Sequence, residues 1–309
     1  MLKKCINKLL ETENYHLEDV DYLAITITAE LSDAFQTKRE GILTILEALV
    51  KVFEKDKLRF ISNKALFLNY EDAKSNPYSI AAANWVSTAL FLGHFVSECI
   101  LIDAGSTTVD IISIVDSKPA SIGSDDISRL INHELIYTGG LRATIPSITH
   151  HVPYNGKKVR ISFEKFALIA DVHRILNNIS EEDYNNDTAD NRSKSLQDCY
   201  ARLSRVICMD VETISREDLN IIAQFIYKKQ IDIISREIRN FMELLIHQFI
   251  QFERNPQFII TGLSADFLIR KSLQTLGYLN IKSFEEITPL PNKISSSAYA
   301  VAGALYFQL

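Results

Sequence analysis

Residues 99–114 read CILIDAGSTTVDIISI. Two apolar, β-branched runs, CILIDAG and TVDIISI, flank the small-residue turn Gly105-Ser106-Thr107-Thr108, so the segment predicts two strands joined by a tight bend. Gly105 lets the backbone approach a ligand closely, and the successive amides and three hydroxyls of the bend can converge on one anion. Asp103, at the end of a buried strand, is positioned to hold Mg²⁺ directly or through water, and Asp110 projects from the return strand. The bland alternative is a polar hairpin in which both aspartates only form the turn.

Outward from this hairpin the punctuation is that of an α/β protein. Before it, Leu2 to Leu10 has helical spacing, and Tyr22 to Ile27 (YLAITI) is a short strand. A helix capped near Thr37 runs through Val52, with apolar residues Ile42, Ile45, Leu46, Leu49 and Val52 at helical spacing. Ala65 to Tyr70 (ALFLNY) reads as a strand, and a helix follows from about Ile80 to Phe95 after the Asn76-Pro77 break. Beyond the hairpin, Phe163 to Asn178 and Asp198 to Gln251 are helical in pattern, separated by the charged loop SEEDYNNDTADNRSKS (180–195). The chain closes with a strand at Phe258 to Thr261, a turn at Gly262, a weaker strand near Ile281 and a small-residue helix from Ser295 to Tyr306.

The 309 residues are 47% hydrophobic, enough for two lobes and a large core. A net charge of −6 argues against a nucleic-acid surface, which needs clustered Lys and Arg. The four cysteines are far apart with no CxxC pair, so they read as buried or idle thiols rather than a zinc site or a disulfide framework. The N-terminus lacks a signal-peptide pattern, and the most apolar stretch, Ala81 to Val96, falls short of the ~20 residues a bilayer requires. A cytoplasmic protein that touches neither membrane nor nucleic acid is expected.

Two further constellations carry chemistry. In TITAELSDAFQTK (26–38) a strand ends in the polar groups Thr28, Glu30, Ser32 and Asp33, at the edge where open α/β sheets bind ligands, and Lys38 could meet an anion. A solvated capping loop is the competing reading. In GSDDISRLINHELIYTGGLR (123–142), Arg129 and Arg142 suit bidentate phosphate or carboxylate contact, while Glu134 and Tyr137 could handle protons or stack on a ring. Arg129 could equally pair with Asp125 one helical turn away.

In order along the chain, TITAELSDAFQTKREG (26–41), AAANWVSTA (81–89), LIDAGSTTVDII (101–112), RLINHELIYTGGLRA (129–143), FALIADVHRIL (166–176), TADNR (188–192), ARLSRVICMD (201–210) and FIITGLSADFL (258–268) together resemble one family across almost the whole length. It is the (4-{4-[2-(γ-L-glutamylamino)ethyl]phenoxymethyl}furan-2-yl)methanamine synthase family of methanofuran biosynthesis, hydantoinase/oxoprolinase-like proteins of the actin-like ATPase superfamily. The resemblance implies an α/β, ribonuclease H-like two-lobed fold: a first lobe at 1–97, and a second at 98–309 holding the phosphate hairpin 100–114, a helical insertion at 160–252 and the closing strand-helix 258–309. The family opens with a DIGGAN-type hairpin followed by Lys. No such segment occurs in this sequence, so the resemblance implies an incomplete first lobe.

The implied reaction joins a furan-methyl diphosphate to the phenol of a tyramine derivative, releasing diphosphate and forming an aryl ether. The resemblance then implies Mg²⁺ at Asp103 and Asp110 and phosphate binding by Gly105, Ser106, Thr107, Thr108 and Gly262. Lys38 and Arg129 would be cations for the leaving group, and Glu30 or Glu134 the base that activates the phenol. Thr28, Asn84, Tyr137, Thr138, Arg142, Asp190 and Arg192 would contact substrate. Two alternatives stand beside it: an ATP-dependent kinase or amidohydrolase, and a non-catalytic small-molecule binding protein. A homo-oligomer is compatible with all three.

Overall fold

A computed structural model of the chain describes residues 2–289 and 296–309. It divides into two compact units: Met1–Glu98 with Ile114–Arg129 and Ile287–Leu309, and Cys99–Ser113 with Leu130–Glu286.

In the first unit the strand Leu23–Ile25 pairs in parallel with Leu58–Ile61, which pairs antiparallel with Phe67–Leu68. The strand expected at Ala65–Tyr70 is therefore only two residues long, Phe67–Leu68. Asn69 stops it: its side chain accepts the Asp72 amide and caps the helix Tyr70–Ser75. Thr37 caps the helix Lys38–Val50 in the same manner, accepting the Glu40 amide. That helix buries Ile42 and Leu46 against Leu58, Phe60, Tyr70 and Ile80. The helix expected from Ile80 starts later, at Asn84, because a 3₁₀ turn at Pro77–Ile80 and a left-handed Ala82 (φ 46°) intervene.

The second unit is built on the sheet whose middle strands are the predicted pair. Cys99–Ala104 lies between Phe258–Thr261, with which it is parallel, and Val109–Val115. Ile281–Ser283 extends the parallel side, and Leu135–Ile136 adds antiparallel to Val109–Asp110. The strands Cys99–Ala104 and Phe258–Thr261 are buried along almost their whole length, which explains their near-continuous apolar composition. Within the same unit a helical core gathers around Leu141, Ile145, Val172, Leu203, Leu219, Ile222 and Ile226. Its backbone is the 33-residue helix Arg216–Gln248, capped by Ser215, which accepts the Asp218 amide. The region around 163–178 is less helical than its pattern suggests. A helix occupies only Ile169–Ile175, and the hairpin His151–Tyr154/Lys157–Arg160 precedes it.

The charged loop 180–195 is organised from beneath. Arg202, fully buried, donates to Asp171 through Nε at 2.9 Å and to Asp190 through Nη1 at 3.1 Å, while Arg205 donates to the other Asp190 oxygen at 3.0 Å. Tyr184 donates its hydroxyl to Asp171 at 3.1 Å. Burial raises the Asp171 pKa, and the Arg202 guanidinium works against that rise.

Cys99 and Cys199 are buried thiols; Cys5 and Cys208 are exposed. Among the described residues no helix is long and apolar enough to cross a membrane.

Candidate functional site

The bend after Asp103 is closed by the Gly105 amide, which donates to the Thr108 carbonyl at 3.0 Å. Its outer face is defined by what grips its inner one. The carbonyl of Thr107 accepts from the Gly139 amide, that of Gly105 from Gly140, and that of Ser106 from both Leu141 and Arg142, all at 2.9–3.0 Å. In a trans peptide the carbonyl and the next amide point in opposite directions. Turning the carbonyls of residues 105–107 toward the strap 139–142 therefore turns the amides of Ser106, Thr107 and Thr108 away from it. Among the described residues these three amides have no protein acceptor. Consecutive outward amides of this kind make an anion-binding concavity.

The strap approaches so closely that Gly139 admits no side chain: a Cβ there would lie 2.6 Å from the Gly105 carbonyl oxygen and 2.7 Å from the Thr107 nitrogen. A second clamp comes from the turn after Phe258–Thr261. Ser264 donates its amide to the Ala104 carbonyl at 3.1 Å and its hydroxyl to the same oxygen at 2.9 Å.

Asp103 and Asp110 flank this bend. Burial, and secondarily the Asp110 charge, push the Asp103 carboxyl up to about 7. Thr108 Oγ1 lies 3.4 Å from Asp110 Oδ2. Among the described residues no group of three or more His, Cys, Asp or Glu side chains converges as a metal cage. Two repelling carboxylates do fit Mg²⁺, which keeps several waters and needs only one or two protein oxygens.

The other expected residues separate by unit. Thr138, Arg142, Gly262 and Glu134 lie with the bend: the Arg142 amide is part of the strap, and Glu134 lends its carbonyl to the Ile111 amide. The Glu134 side chain is buried, and Tyr137, just before the strap, is exposed. In the first unit, Glu30 is buried and its Oε2 has no hydrogen-bond partner among the described residues. Burial raises its pKa, with Lys38 opposing and Asp126 adding to the rise. Lys38 donates to Asp126 at 2.8 Å. Arg129 is buried with its guanidinium 4.3 Å above the Trp85 ring, and its amide donates to the Asp125 carbonyl, while the Asp125 carboxylate accepts from Ser128. Thr28 is exposed and Asn84 half-buried at the start of its helix. Asp190 is committed to Arg202 and Arg205, and Arg192 is exposed beside it.

Sequence reasoning passed over Gly139, Gly140, Ser264, Trp85 and Gln230. The doubled glycine inside YTGGLR was the available signal, since adjacent glycines mark close backbone approach. No local pattern singles out Gln230, which acts from the middle of a long helix.

A parallel-centred α/β sheet whose central hairpin is clamped from two sides places the chain among the mixed-sheet α/β proteins. The hydantoinase/oxoprolinase family model matches residues 21–308, and the chain belongs to that family. It is 36% identical over 298 residues to the (4-{4-[2-(γ-L-glutamylamino)ethyl]phenoxymethyl}furan-2-yl)methanamine synthase of Methanocaldococcus jannaschii, covering 96% of this chain and 86% of that protein. The synthase of the same name from Methanococcus vannielii is 38% identical over 156 residues, 48% of this chain and 69% of that protein. Among solved structures, nucleotide-free acetone carboxylase aligns with a TM-score of 0.53 at 14% identity, over 86% of this chain and 37% of that one. That likeness is one of fold.

Proposed function

We propose that the chain is a cytoplasmic transferase of methanofuran biosynthesis, joining a furan-methyl diphosphate to the phenol of a γ-glutamyltyramine. The new bond links the phenol oxygen to the furan methylene, the methylene–oxygen bond to diphosphate breaks, and the phenol proton passes to a base. The observation that carries this reading is the bend: three outward main-chain amides beside two carboxylates, in a chain 36% identical to a protein named for this synthesis. We read its fold as that of actin-like ATPases, with the hairpin in their phosphate position.

In this reading the amides of Ser106, Thr107 and Thr108 receive the charge that grows on the leaving diphosphate, and the clamped backbone supplies them without reorganisation. Asp103 and Asp110 would hold Mg²⁺, which contributes charge neutralisation to the departing anion. Lys38 and Arg129 are the cations proposed to assist. Glu30 and Glu134 are the two candidate bases for the phenol, whose ordinary pKa is ~10; burial raises the Glu30 pKa.

Incubation with the furan-methyl diphosphate, γ-glutamyltyramine and Mg²⁺ is expected to release diphosphate and yield the ether, with no dependence on ATP. Absence of product from folded protein, or turnover only with ATP, would overturn the reading.

A further inference from the structure

The strap that grips the bend is itself held from behind. Gln230, fully buried in the middle of the helix Arg216–Gln248, donates Nε2 to Thr138 Oγ1 at 3.0 Å and to the Gly139 carbonyl at 3.0 Å, with the Thr138 carbonyl at 3.4 Å. Three oxygens around one nitrogen fix the orientation of the amide, so Oε1 must face the other way. There it lies 2.9 Å from His173 Nε2, which is consequently the protonated nitrogen and the donor. His173 Nδ1 is then the acceptor for Asn178 Nδ2 at 3.1 Å. Burial lowers the His173 pKa to about 3, so the ring stays neutral and keeps this tautomer at any physiological pH. Phe267 and Tyr227 pack on the ring at 4.7 Å and 5.6 Å between centroids and exclude competing partners.

The donors therefore run in one direction: Asn178 to His173, His173 to Gln230, Gln230 to Thr138 and Gly139, and residues 139–142 to the carbonyls of Gly105, Ser106 and Thr107. We propose that Gln230 is a positioning residue for the diphosphate bend, aligning through the strap the three amides that receive the leaving group. The proposal rests on the reading of that bend as the diphosphate site. Gln230 touches no reacting atom; it sets the direction of groups that do. A buried, fully satisfied polar relay of this kind specifies one geometry, and losing a single donor leaves several buried oxygens unsatisfied.

The test compares the wild-type chain with Gln230→Met, which keeps length and loses both polar atoms, and with Asn178→Ala at the half-buried far end of the relay. Hydrogen exchange without ligand reports the strap; calorimetry with inorganic diphosphate and Mg²⁺ reports the bend. Gln230→Met is expected to speed exchange at residues 139–142 and to weaken diphosphate binding by about tenfold or more, as loss of a supporting bond behind a ligand site does. KM for the phenolic acceptor should stay unchanged while KM for the diphosphate substrate rises. Asn178→Ala should shift the same readouts less, without loss of fold. Unchanged exchange at 139–142 in Gln230→Met would overturn the proposal, as would exchange raised uniformly along the helix Arg216–Gln248. A wild-type chain that ignores diphosphate would instead overturn the reading of the bend, whatever the strap does.

Discussion

Gly262 and Asp103 occupy space that only one side chain can fill: a Cβ on Gly262 would lie 2.7 Å from Asp103 Oδ1 and 2.5 Å from the Ala104 carbonyl, and the backbone there has φ 94°. Gly262→Ala is accordingly expected to destabilise the protein by about 1–3 kcal/mol through strain and to displace the Asp103 carboxylate. Denaturant titration checks the first effect. Loss of Mg²⁺-dependent protection against unfolding checks the second, and a variant with unaltered protection would contradict it.

Asp103 should write itself into the pH dependence of stability. Its folded-state pKa of about 7 lies above the ordinary carboxyl value, so between roughly pH 4 and 7 the folded state holds a proton that the unfolded chain has released. Stability contributed by this group therefore falls as pH rises through that window and stays lost above it. Asp103→Asn is expected to flatten that part of the profile and to stabilise the metal-free protein near pH 8. Mg²⁺ should reverse the loss in the wild type with release of a proton, measurable as a buffer-dependent heat.

Glu30→Gln separates a catalytic from a structural role for the buried carboxylate. Its unpartnered Oε2 and burial-raised pKa mean that ionisation opposes folding. The variant should match or exceed the wild type in thermal stability while turnover drops by about 10²–10⁴-fold, the usual contribution of a general base. Full activity would remove Glu30 from the mechanism.

The Asp171–Arg202 pair anchors the loop 180–195, and breaking it strands a buried charge. Arg202→Met should cost about 3–5 kcal/mol. Limited proteolysis is expected to cut the variant within 180–195 and spare the wild type there. Asp171→Asn combined with Arg202→Met should recover much of the loss, because no unpaired charge then remains.

The hairpin, the strand Phe258–Thr261 and the Thr37 cap were readable because each is a local pattern: apolar runs bounded by small residues, or a hydroxyl three residues before the amide it binds. The hairpin His151–Arg160 carries an equally local signal in Asn155-Gly156, both left-handed with φ 48° and 68°, which the sequence reading left unassigned. Leu58–Ile61 is four residues long and follows a charged turn, too short to show a period. The site divides along the same line. Asp103, Gly105 and the hydroxyls sit next to one another in sequence, whereas the strap's hold on the bend joins residues more than 30 apart, and Gln230 reaches Thr138 across 92. Asp190 was read as a substrate contact from its motif; its two arginine partners lie on the following helix, and no pattern within TADNR announces them.

The outward amides at residues 106–108 belong to the main chain, which every amino acid except proline carries alike. Point mutation at those three positions to any residue but proline can therefore change the hydroxyls, the bulk and the polarity of the bend without deleting its main-chain donors. Substitution can reshape the surroundings of this bend while its main-chain donors stay in place, and the glycines and the glutamine behind it are the places where that freedom ends.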